Sequence, residues 1–221
     1  MDARPLPRGH RLVGLGLVLA MLLTSSAGCS TVAFTLAYLI KGTDVPAECK
    51  ALKEKKVVVV CRPLASLQYR NARVDQNLAE QVGSLLARNV PKIKMVDHRK
   101  VAEWMDENSW DEYTEVGKAL RADVVLGIDL EDLQLYQGQT LFQGRAQVEL
   151  KLYDCKTREI VFRKRLRPSV YPPNRRMIPT SECQESEFRQ AFVGFLADQI
   201  GRHFYAHEPY ADIALDAKAL E

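Results

Sequence analysis

Between Leu12 and Ile40 the chain carries no Asp, Glu, Lys or Arg. About 20 apolar residues are enough to cross the hydrocarbon core of a bilayer, so a run of this length must be exported, inserted or buried. Three details choose among these outcomes. Arg4, Arg8 and Arg11 precede the run, Ser26-Ala27-Gly28 interrupt it with small residues, and Cys29 follows at once. A basic start, a hydrophobic stretch and small residues before a cleavage point are the parts of an export signal.

The segment Ser26-Ala27-Gly28-Cys29 resembles a bacterial lipoprotein processing site, with Cys29 as the lipidated first residue of the mature chain. One position departs from that pattern: Ser26 stands where Leu or a similar apolar residue is usual. Two other readings stay open, an uncleaved membrane helix flanked by Lys41 and the basic amino end, and a buried core helix. The first two place the rest of the chain beside a membrane, on the periplasmic side of a bacterial envelope. Ser30 is compatible with sorting to the outer membrane, but inner and outer membrane are not separated by the sequence.

Length and charge bound the remainder. Beyond the apolar run there is chain for one ordinary domain with a real core. The formal charge is +3; without residues 1–28, which hold Asp2, Arg4, Arg8 and Arg11, it falls to 28 basic against 27 acidic residues. That balance points to no nucleic acid. Cys49, Cys61, Cys155 and Cys183 allow two disulfides in three pairings, or four buried or idle thiols. No C-x-x-C spacing marks zinc or redox chemistry.

The expected organisation is a signal peptide over 1–28, an anchored segment and polar linker over 29–55, an α/β domain over 56–207 and a tail over 208–221. Within the domain, Val57 to Val60 reads as a buried strand stopped by Pro63. Leu78, Val82, Leu85 and Leu86 recur at helical spacing across Val74 to Val90. Ile93 to Val96 is a second strand, and Val101, Trp104 and Met105 stripe a helix, followed by a helical piece from Tyr113 to Leu120. Val124 to Leu130 is strongly strand-like. Ala146, Val148, Leu150 and Leu152 alternate with charged and polar neighbours, as in a strand with one face in the core. The returning strand sets Ile160, Phe162 and Leu166 against Arg163, Arg165 and Arg167. Phe188, Phe192, Phe195, Leu196, Ile200 and Phe204 then stripe a closing helix. The fold class is α/β, a single-domain sandwich whose mixed sheet is packed by helices.

Four pieces resemble the TolB amino-terminal-domain superfamily, which includes curli-secretion lipoproteins and lipoprotein activators of penicillin-binding proteins. They are Val57-Val58-Val59-Val60, Met95-Val96-Asp97-His98-Arg99, Val116 to Gly127, and Tyr153 to Val161, in the same order over roughly Lys56 to Phe204. The resemblance implies a non-enzymatic envelope module that binds proteins, assists assembly or forms part of a secretion complex. Its matching residues are scaffold: Gly117, Ala119 and Ala122 for close helix packing, and Asp154 to Arg158 for a hairpin turn. A curli-type pore needs long membrane-crossing hairpins, and Gln134 to Gly144 reads as short and polar. The chain is too short to add a propeller.

Chemistry leaves few traces. His203 and His207 stand four apart on the closing helix without the glutamate of an H-E-x-x-H motif. Asp129 and Glu131 are expected to point outward as solvated charges. No phosphate-binding loop follows Val60 and no G-x-S-x-G is present, so neither a cofactor nor a metal is expected and the chain is not read as an enzyme; an exported hydrolase is the remaining catalytic alternative. The sharpest surface feature is basic. Lys156, Arg158, Arg163, Lys164, Arg165, Arg167, Arg175 and Arg176 face one acid, Glu159. Arg163, Arg165, Arg167, Arg175 and Arg176 are therefore candidate contacts to an acidic partner or to anionic lipid; the bland alternative is a solvated sheet face balanced by acids elsewhere. An oligomeric secretion subunit is the second functional reading.

Overall fold

Four successive valines start the sheet. In a computed structural model, which describes residues 44–63, 73–174 and 176–209, they open strand β1 (Lys56–Pro63). Cys29, the whole apolar run and Arg175 lie outside the described residues. The chain divides into Met1–Asp44 and Val45–Glu221, and the second unit is the one described here. No helix among the described residues is long and apolar enough to cross a membrane.

Chain order is β1, α1 (Val74–Asn89), β2 (Lys94–Met95), α2 (His98–Glu107), α3 (Tyr113–Ala119), β3 (Val124–Gln137), β4 (Leu141–Asp154), β5 (Ile160–Arg165), β6 (Ser169–Tyr171), β7 (Ile178–Pro179) and α4 (Glu185–Gly201). The sheet order is β2-β1-β3-β4-β5. β1 runs parallel to β2 and β3, and β3 antiparallel to β4, so the sheet is mixed. Because β3 occupies one edge of β4 along its length, β5, β6 and β7 share the other, in sequence, as one interrupted strand. Leu166 N–H to Val148 O at 2.9 Å carries the pairing past the end of β5.

Strand alternation sorts the side chains onto two faces. Val57, Val59 and Cys61 of β1, Val124, Leu126, Ile128 and Leu130 of β3, and Val148, Leu150 and Leu152 of β4 face α1 and α4. Val74, Leu78, Val82 and Leu86 supply the α1 stripe; Phe188, Phe192, Leu196 and Ile200 supply that of α4. On the opposite face a smaller cluster joins Val58, Val60, Val101, Tyr113, Val116, Val125 and Cys155 under α2 and α3. Two glycines set its closeness. A Cβ at Gly117 would meet Val125 at 2.4 Å and the Cys155 sulfur at 2.5 Å, and one at Gly127 would meet the Tyr113 ring at 2.8 Å. The small residues expected to seat α3 thus do so at Gly117.

Several expectations are corrected. Residues 45–55 are not a free polar linker: Cys49 and Leu52 sit in the main core, and Val45 bridges His207. Two apolar side chains in an otherwise polar stretch suffice to fold it back. β3 and β4 extend to Gln137 and from Leu141, so the Gln134 to Gly144 region is the end of a hairpin of 14-residue strands. Phe142 at that end stacks on Phe188 of α4. Ile160 is 43% exposed rather than in the core, because a register shift between Leu152 and Tyr153 inserts a residue opposite β4. The inward places on this edge go to Phe162, Lys164 and Leu166. The closing helix stops at Gly201, so His203 and His207 lie in the following turn and bridge. The four described cysteines are free thiols, with Cys61 and Cys155 in clusters on opposite faces of the sheet.

Candidate interaction surface

On the face that α2 and α3 cover only in part, the alternation that buries leucines on one side of β3 and β4 places charges on the other. Asp129 and Glu149 stand directly opposite each other in the β3–β4 ladder. Two like charges in that position repel. Lys151 resolves the conflict: its Nζ donates to Asp129 Oδ2 at 2.7 Å and lies 2.8 Å from Glu149 Oε2. Arg163 Nε donates to Glu149 Oε1 at 2.8 Å, and Arg165 pairs with Glu131. Asp129 also accepts from Tyr113 Oη at 2.6 Å. The ladder therefore runs from α3 across β3 and β4 to β5 with signs alternating.

Burial strengthens these contacts, since the Lys151, Asp129 and Glu149 side chains retain only 20%, 21% and 12% of their exposure. Hydrogen bonds from Arg163 and then Lys151 hold the Glu149 carboxyl below its ordinary range. The bonds to Asp129 and Glu149 push Lys151 up. Tyr113 is pushed up by burial first and by the Asp129 carboxylate second, which keeps it a donor. Arg62, the last outward residue of β1 before Pro63, stacks its guanidinium 4.3 Å from the Trp110 ring centroid and 4.7 Å from that of Tyr113. Its Nη2 donates to Asp111 O at 2.6 Å. Asp129 and Glu131 are thus paired rather than solvated; a register shift between Leu130 and Asp132 leaves Glu131 as the extra residue beside Arg165.

This arrangement divides the basic patch. Arg163 and Arg165 are committed to Glu149 and Glu131, and Lys164 donates to Glu48 at 2.6 Å. Arg167 and Arg176 are exposed and form no ion pair among the described residues. Cys29 and Arg175 fall outside those residues. The missed partners are Lys151, Tyr113 and Arg62. For Lys151 the signal is the charge alternation within β4; Tyr113 on α3 and Arg62 at the end of β1 carry no such local signal.

A second feature is a cleft of about 650 Å³ at the carboxyl end of β1, lined by residues that include Val59, Cys61, Asp75, Glu80, His98 and Arg189. His98 Nε2 lies 3.3 Å from Glu80 Oε1. Burial pushes the Cys61 thiol well above its ordinary value, which suits an inert core thiol rather than a nucleophile. Among the described residues no three His, Cys, Asp or Glu side chains stand close enough to hold a metal ion. His203 Nδ1 instead lies 3.3 Å from Glu48 Oε2.

No family model and no curated protein matches this sequence. Among solved structures the chain is similar to a subunit of the PelC dodecamer from Paraburkholderia phytofirmans, at 12% identity over 69% of this chain and 91% of that one, with a TM-score of 0.39. It is similar to a lipoprotein from Neisseria meningitidis, at 11% identity over 66% and 96%, with a TM-score of 0.39. It is also similar to the carboxyl-terminal domain of LpoB from Salmonella enterica, at 15% identity over 61% and 90%, with a TM-score of 0.35. At these identities and scores the likenesses carry no argument about function.

Proposed function

We propose that this chain is a lipid-anchored protein of the bacterial cell envelope that acts without catalysis, as a protein-interaction or assembly module on the periplasmic side of the membrane. The observation that carries the reading is the uncharged run closing on Ser26-Ala27-Gly28-Cys29 in front of a self-contained domain. The element order of the domain supports a TolB amino-terminal-like module, as the four resembling segments imply. The described thiols suit structural roles: burial also pushes Cys155 up, to about 11. Its working surface is the charged sheet face and the basic β5 edge, with Arg167, Arg175 and Arg176 as contact residues.

Replacing Cys29 by Ser in the full chain tests the anchor. The variant is expected to lose acylation and to leave the membrane fraction, or to remain there only as an unprocessed precursor. A variant that keeps wild-type processing and a fatty acid would defeat the assignment of Cys29.

A further inference from the structure

Charge on the folded body is segregated although the whole chain is nearly neutral. From Glu103 to Glu115 there are six acidic residues, Glu103, Asp106, Glu107, Asp111, Glu112 and Glu115, and no Lys or Arg. All six are exposed, and none has an ion-pair partner among the described residues. Asp106 and Glu107 occupy the last turn of α2, which has no basic residue. Acidic side chains there oppose the helix dipole, so the local fold gains nothing from them. From Lys156 to Arg167 the composition is reversed, six basic residues to one acid. After Arg163, Lys164 and Arg165 are paired internally, Lys156, Arg158 and Arg167 remain exposed and in no ion pair. These groups flank β5, whose outer edge pairs with no strand among the described residues. The acidic surface lies instead on the carboxyl half of α2 and the start of α3, over β1 and β3; Arg99, Lys100 and Lys118 of the same helices lie outside that stretch.

We propose that the acidic α2–α3 surface of one copy of this chain docks on the basic β5 edge of a second copy. The complement of each patch is present on the same polypeptide, which is the reason to name a second copy rather than a foreign partner. Pairing either patch with its own equivalent across a two-fold axis would oppose like charges. The acidic patch of one copy therefore meets the basic patch of the other, either reciprocally about a two-fold axis or head-to-tail in a ring or filament, according to the rotation between copies. This deepens the assembly part of the function proposed above and is independent of the anchor, because Cys29→Ser leaves both patches intact.

The test uses the full chain in detergent micelles, with mass followed by sedimentation velocity. Wild type is expected to assemble at about 50 mM salt and to dissociate on the order of tenfold more readily at about 500 mM, where surface charges are screened. Two charge-reversed variants sharpen the result. One carries Glu103→Lys, Asp106→Lys and Glu107→Lys, which relieves the unfavourable helix end and should fold; the other carries Lys156→Glu and Arg167→Glu. Each alone is expected to be monomeric, while an equimolar mixture of the two assembles, since one presents two basic patches and the other two acidic ones. Wild type that stays monomeric at low salt, or a mixture that fails to associate, overturns the proposal. So does a monomeric wild type that binds phosphatidylglycerol vesicles through Lys156 and Arg167, which would assign the basic edge to lipid.

Discussion

The two faces of the β3–β4 hairpin are built from alternate residues of the same strands, yet they are held together in opposite ways. Toward α1 and α4, Leu126, Ile128, Leu150 and Leu152 are fully buried among aromatic and aliphatic neighbours. Toward α2 and α3, Asp129, Lys151 and Glu149 are largely but not fully buried and depend on one another's charge. The dry face is stabilised by area removed from water, which tolerates no hole but needs no exact partner. The charged face contributes less energy and more specificity, because each group must meet an opposite sign at a fixed register. The hairpin therefore divides apolar burial and charge pairing between the two sides of one sheet.

The largest expected break is on the dry side. Phe192 is 0% exposed, packs on Tyr171 and fills the space that a side chain at Gly144 would need. Phe192→Ala should cost about 3–5 kcal/mol. On the charged side, Arg163→Ala should cost far less, because the guanidinium is exposed and Glu149 keeps Lys151. Denaturant midpoints of the two variants measure the contrast directly; comparable losses would show that the faces are not so divided.

Lys151→Met lies between these extremes, at about 1–3 kcal/mol, since it leaves Asp129 and Glu149 facing each other without the cation between them. Its cost also depends on pH. Lys151 is raised, so its contribution is complete below its ordinary value of 10.5 and is lost as pH rises through the folded value. Glu149 is lowered, so its contribution is complete above its ordinary 4.5 and is lost as pH falls through the folded value. The penalty of Lys151→Met is thus expected to be greatest across the neutral range and to shrink in acid. A penalty independent of pH would indicate lost packing rather than lost pairing.

The smallest effect concerns the segment folded back before β1. Glu48 is lowered chiefly by its bond from Lys164. His203 is lowered by burial, which outweighs the nearby Glu48 carboxylate. For both groups the unfolded chain takes up its proton first, so acid favours unfolding. Stability should decline as pH falls below the ordinary His203 value of 6.5, and again below the ordinary Glu48 value of 4.5. His203→Gln should flatten the first step in a thermal-unfolding series against pH and leave the second.

What could be read in the sequence follows the same division. Apolar periodicity located α1, α4 and strands β1 to β5 because burial acts through residue type and spacing alone; β6 and β7, short pieces in a proline-rich stretch that reads as a loop, were missed. It misplaced Ile160, because a single inserted residue on the β5 edge reverses which side chains face inward. It missed the fold-back of residues 45–55, since Cys49 and Leu52 form no periodic pattern. Arginines 163 and 165 were visible as a patch, but their partners Glu149 and Glu131 lie on other strands and are known only once register is known. Long-range charge pairing is a property of topology, which no local window contains.

The proposed envelope location depends on what happens at Cys29. Intact-mass measurement of the full chain, expressed in bacteria and extracted from membranes, tests this most directly. The account predicts a polypeptide beginning at Cys29 and heavier than residues 29–221 by the mass of an attached diacylglyceryl group and acyl chain. A mass equal to the unmodified chain from Met1 to Glu221 would contradict it.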